Sequence, residues 1–147
     1  VVARVAAAAL VVAVGVGATL GRLAAPAPEP EQTVAERAEA ALEDPDATVT
    51  GLADPVSGMP AARFVVTADG DAYVTLDDLA PLPAERTYQL WRTETMTPVS
   101  LGVLGPGRSR AVEVHVPPGQ ARLAISEEPV GGSPAPTGAL VAAGTVR

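Results

Sequence analysis

From Ala47 to Arg147 the apolar residues recur with a period of two, and glycine or proline interrupts them every few residues. This pattern constrains the fold more than any other feature. A period of two places successive side chains on opposite faces of a strand, and the short intervals leave no room for the crossover helices that parallel pairing needs. "ARFVVTADGDAYVTLDDL" reads as a hairpin closed by Asp69-Gly70. "RTYQLWRTE", "PVSLGVLG", "RAVEVHV", "ARLAISEE" and "GALVAAGTVR" follow as strands, and "ATVTGLA" supplies an early one. The sheets are therefore antiparallel, packed as a sandwich or a barrel. The expected fold is an all-β, Ig-like β-sandwich of about seven to eight strands over residues 47–147. In "RAVEVHV", Val112, Val114 and Val116 point inward, and Glu113 and His115 outward. The core is aliphatic, because aromatics make up only 3% of the chain; Phe64, Tyr73, Tyr88 and Trp91 are its few large pieces. Tyr88 and Trp91 lie on opposite faces of one strand, so they form no shared aromatic platform.

The N-terminal part has a different character. No residue between Arg4 and Arg22 is charged, and this run of residues 5–21 would extend about 26 Å as a helix. With residues 1–25 included and both arginines reaching the interfaces, it suits one transmembrane helix. The alternative is a secretory signal peptide cleaved after Ala24-Ala25. One arginine at each end leaves orientation open. Residues 26–46 form a Pro/Ala/Glu-rich tether containing a short juxtamembrane helix, 33–44. Thr33 and Glu36 compose its capping box, and Asp44-Pro45 ends it. Its apolar stripe, Val34, Ala38, Ala41 and Leu42, either docks on the domain or leaves the helix standing as a stalk.

Little here points to catalysis. A net charge of −7 repels nucleic acid. Cysteine is absent, which removes disulfides, thiolate metal sites and thiol nucleophiles. His115 is the single histidine and sits on an outward strand position, without a nucleophile elbow anywhere in the chain. Asp69-Gly70-Asp71 lacks the distal glutamate of a calcium loop. Asp77-Asp78 and Glu127-Glu128 each place their two carboxylates on opposite faces, so neither pair is a ready acid/base dyad. No catalytic residue, cofactor or metal is expected.

"EEPVGGSPAPTG", Glu127 to Gly138, stands out by its density of glycine and proline. Pro129, Pro134 and Pro136 remove backbone donors and no lysine is present, so it does not suit a phosphate cradle. A structural connection is expected. Gly131-Gly132 permit positive φ, and Pro134 and Pro136 stiffen an extended path into the last strand. An exposed peptide- or ligand-binding loop is the alternative.

"TYQLW" (Thr87–Trp91), "PVSLG" (Pro98–Gly102) and "EPVGGSPAPTG" (Glu128–Gly138), in this order and spacing, resemble the C-terminal domain of the anti-sigma-K factor family. The motif residues are Tyr88, Leu90, Trp91, Gly102, Glu128, Gly131, Gly132, Ser133, Pro136, Thr137 and Gly138, in a structural role. Arg92 departs from the pattern, which more often has an aliphatic residue there. The resemblance covers roughly residues 47–147, and the apolar run before it fits too. It implies a membrane-anchored, extracytoplasmic regulatory or sensory domain of a bacterial transmembrane anti-sigma factor, of a kind common in actinobacteria, and not an enzyme. It implies control of sigma factor release by regulated proteolysis, with envelope and intramembrane proteases as partners. A sigma factor would be held only through a cytoplasmic N-terminal domain that these residues do not include. The competing reading is a generic cell-surface β-sandwich that binds a ligand or envelope polymer, with an envelope hydrolase a distant third.

Overall fold

A computed structural model describes residues 31–146 apart from 77, 109 and 118. The expected membrane span at 1–25 and the first part of the tether, 26–30, lie outside the described residues. Among the described residues no helix is long and apolar enough to cross a membrane.

Helix α1 runs Val34–Glu43. It begins where the capping box predicts: the Glu36 amide donates to the Thr33 hydroxyl, and the Glu36 carboxylate accepts from the Thr33 amide. Asp44 is extended, as the residue before Pro45 must be. The helix docks. Ala38 and Ala41 are buried against Val65 and Tyr73, flanked by Val34 and Leu42. Small side chains let the helix lie close to the sheet. Arg37 donates to Glu113 at 2.8 Å and lies over the Tyr73 ring.

Eight strands follow: β1 (Thr48–Ala53), β2 (Pro60–Val66), β3 (Ala72–Thr75), β4 (Arg86–Arg92), β5 (Val99–Gly105), β6 (Ala111–Val114), β7 (Ala121–Pro129) and β8 (Leu140–Val146). Every paired neighbour is antiparallel. The β2–β3 hairpin closes at Asp69-Gly70, where Gly70 donates to the Thr67 carbonyl.

The number of strands and their direction match the sequence reading, but the layer arrangement differs. The strands do not divide into the two sheets of an Ig-like sandwich. They form one sheet in the order β5-β4-β7-β8-β1-β2-β3-β6. Its two halves meet at β8 and β1 through a single ladder pair, Ala53 with Ala143. The sheet curls until its edge strands, β5 and β6, approach each other. One core fills the inside. Leu52, Phe64 and Val74 from one half pack with Leu90, Leu104, Leu123 and Ile125 from the other. Alternation fixes which residues share a face, and both a sandwich and a curled sheet satisfy that requirement. The pairing of the eighth strand with the first decides between them, and periodicity carries no information about it.

Candidate functional site

Strand β4 pairs with β7 along the whole of β4, from Arg86 opposite Pro129 to Arg92 opposite Leu123. Tyr88 and Leu90 on β4, with Leu123 and Ile125 on β7, face the core. The alternate residues Thr87, Gln89, Trp91, Ala124, Ser126 and Glu128 point the other way, where water would be expected, yet all are buried. The segment between β7 and β8 is bonded over two of them, Gln89 and Glu128. Residues 129–138 fold back over the outer face of β4 and β7 instead of projecting from the end of the sheet.

Two side chains hold that cover. The first is Glu128, which is fully buried. Its carboxylate accepts from the Ser126 hydroxyl, from the Thr137 amide at 2.9 Å, from the Thr137 hydroxyl, and from the Gly138 amide. Ser126 in turn accepts from the Trp91 indole N–H at 2.8 Å. The sole tryptophan therefore opens a buried chain that runs from indole to hydroxyl to carboxylate to loop backbone. The second is Gln89. Its Oε1 accepts from the Ser133 amide at 2.8 Å, while its Nε2 donates to the Ser133 carbonyl at 3.0 Å and to Ser100 Oγ at 2.7 Å. The amide group thus pairs with the Ser133 backbone as a neighbouring strand would.

The local sequence explains how the loop reaches these partners. The Gly132 amide donates to the Pro129 carbonyl, closing a tight reversal. Gly132 has φ +84, and a Cβ there would lie 2.7 Å from Gln89 Oε1 and 2.8 Å from a Val103 methyl. At Gly138 the restriction is closeness: a Cβ would fall 1.8 Å from the Glu127 carbonyl oxygen. The chain then enters β8, which pairs with β7 on one side and β1 on the other.

The electrostatics fit a lock. Burial pushes the Glu128 carboxyl up, but the hydrogen bonds from Ser126 and Thr137, with a smaller contribution from Ser133, outweigh it and hold the group at about 2. Its oxygens are occupied by donors, so it is set to accept and to stay ionised. On the inner face, burial and then the Glu127 carboxylate push the Tyr88 phenol up. That phenol donates to the Ala80 carbonyl.

The structure brings together most of the residues singled out in the sequence. Glu128, Gly132, Ser133, Thr137 and Gly138 meet on the outer face with Trp91. Pro136, half-buried, leads into Thr137, and Gly131 is the exposed half of the reversal. Tyr88 and Leu90 lie on the opposite, inner face, and Gly102 sits on β5 opposite Leu90. Glu127 and Glu128 face opposite ways, as expected. Arg92 pairs with Glu94 at 2.9 Å. Sequence reasoning missed Gln89, Ser100 and Ser126. One signal was available: a strand with Tyr88 and Leu90 on one face and Trp91 on the other needs cover on both. His115 is exposed, and among the described residues no group of three His, Asp or Glu is placed to hold a metal ion.

Residues 2–145 match the family model described as Anti-sigma-K factor rskA, C-terminal. That range takes in the uncharged run as well as the β domain. Searches of curated proteins and of solved structures give no match.

Two expectations follow. Glu128 has a folded value below its unfolded one, so its stabilisation is complete above the ordinary carboxyl range near 4.5 and is lost as pH falls toward about 2. Glu128→Gln should cost roughly 1.5–3 kcal/mol near neutral pH and flatten the fall in stability between about pH 5 and pH 2, as read by urea unfolding at stepped pH. Retention of the full acid dependence in the variant would refute the assignment. In the loop, Gly132→Val should cost about 1–3 kcal/mol through strain at positive φ. Ser133→Ala should cost far less, because Gln89 grips the Ser133 backbone. Thermal melts of the two variants check the order, and the reverse order would count against the lock.

Proposed function

The chain belongs to the anti-sigma-K factor C-terminal family, and on that premise we propose that it is the membrane-anchored, extracytoplasmic regulatory domain of a transmembrane anti-sigma factor. The carrying observation is the extent of the match, which joins the uncharged run and the β domain in one family unit. Residues 5–21 have the length and apolarity of a span, and the acidic, proline-rich residues after them suit an exposed tether. In this reading residues 1–25 anchor the chain, residues 26–33 tether it, and the β domain with its docked helix α1 stands outside the cytoplasm. The sigma factor is held on the other side of the membrane and released by stepwise proteolysis, one cut outside the membrane and one within it.

The site supports a regulatory role over an enzymatic one. The buried carboxylate is consumed by hydrogen bonds to its own strand and loop, and the Ser126 and Thr137 hydroxyls beside it are spent as donors in that lock. What the Trp91–Ser126–Glu128 chain does is fix a covering segment and deliver β8. A domain with its glycine- and proline-rich loop tied down is suited to resist cleavage, leaving the tether as the accessible stretch.

Topology is the direct test. Reporters fused after Glu31 and after Arg147 should both be active outside the cytoplasm. Activity confined to the cytoplasm at both positions would overturn the proposal.

A further inference from the structure

The two ends of the curled sheet are built differently. At one end the segment after β3 turns inward and plugs the core: Leu76 and Leu82 are buried, with Leu79 packed against them. That plug is tied down. The Leu82 amide donates to the Pro106 carbonyl, and the Tyr88 hydroxyl donates to the Ala80 carbonyl at 2.8 Å. The opposite end gathers the start of β1, the end of β2, the start of β3, the segment after β6 and the end of β8. There no described residue plugs the core. A cavity of about 270 Å³ opens between these strands.

Its walls are apolar. Phe64, Val66, Ala72 and Val116 line it, with Phe64 and Ala72 belonging to the buried core itself. Its mouth is polar. On β1, Leu52 faces the core, and the same face continues outward through Thr50 and Thr48. Both threonines line the cavity, at inward positions where the plugged end uses leucine. Asp46 lies at the rim and is the one charged residue among the described lining, which contains no cation.

We propose that this open end is a binding site for a small amphiphile, with a linear or singly ringed apolar body and a neutral or cationic hydrogen-bond-donating head. An eight-stranded curled sheet has an interior wide enough to hold one small ligand when side chains do not fill it. A volume of about 270 Å³ takes roughly ten non-hydrogen atoms at protein packing density. The apolar body lies against Phe64, Val66, Ala72 and Val116. The head meets the Thr48 and Thr50 hydroxyls and the Asp46 carboxylate. Asp46 selects against a carboxylate or phosphate head, because the described lining offers no positive charge to neutralise one and the net charge of −7 opposes it. The site rests on the geometry of the open end alone, and only the nanodisc medium of the test takes residues 1–25 as a span.

The test titrates the full chain in nanodiscs with 1-octanol, octylammonium or octanoate, read by amide shifts. The single Trp91 indole resonance reports that the fold is intact. Octanol and octylammonium should give saturable shifts at Thr50, Val66 and Val116, with octanoate at least tenfold weaker. Val116→Phe, which fills the cavity, should abolish these shifts while the indole resonance stays. If Val116→Phe loses that resonance, Thr50→Phe takes its place. Absence of saturable shifts in the unaltered chain, octanoate binding as tight as octylammonium, or unchanged shifts in a folded filled-cavity variant would each overturn the proposal.

Discussion

One buried carboxylate holds the second half of this domain in place. Glu128 lies beneath its own loop, out of contact with water, and takes hydrogen bonds from Ser126, Thr137 and Gly138. An ionised group in that position costs several kcal/mol unless its lone pairs are satisfied, and here donors surround it. The consequence reaches beyond the loop. Gly138 is fixed against the Glu127 carbonyl, and β8 begins two residues later. β8 then pairs with both β7 and β1, so it joins the two halves of the sheet. If the carboxylate lost its partners, the path into that joining strand would lose its anchor.

The same problem of a two-sided sheet is solved twice, by different means. A curled eight-stranded sheet encloses one core, and its outer face would ordinarily meet water. On β2 and β3 the outward residues Val65 and Tyr73 are covered by α1, through Ala38 and Ala41. On β4 and β7 the glycine- and proline-rich loop is bonded over the outward residues Gln89 and Glu128. The helix covers its strands with apolar contacts between small side chains. The loop has no regular structure to satisfy its own backbone, so its cover is polar: Gln89 takes both backbone groups of Ser133, and Glu128 takes the amides of Thr137 and Gly138.

What the residues disclosed in advance follows the range of the interactions. The capping box at Thr33 and Glu36, the turn at Asp69-Gly70 and the inward Val112, Val114 and Val116 are local or strictly periodic, and they were legible. So were the conformational freedom of Gly132 and the opposed faces of Glu127 and Glu128. The grip of Gln89 on Ser133 spans 44 residues of chain, and no local pattern encodes it. An outward position reads as solvated until something is known to stand over it. Trp91 hinted at such a cover, because a strand with large apolar residues on both faces is buried on both. The single seam between β1 and β8 was equally invisible, and the expected two-sheet sandwich gave way to one curled sheet for that reason.

Glu128, buried, and Thr137, at the surface, act as one unit through a part-buried, charge-assisted contact. A double-mutant cycle measures this directly: urea unfolding of the unaltered chain, Glu128→Gln, Thr137→Val and the double variant at neutral pH. The two single costs should not add, with a coupling of about 1 kcal/mol or more. Additivity within roughly 0.3–0.5 kcal/mol would contradict it, because the carboxylate would then not be what holds the loop.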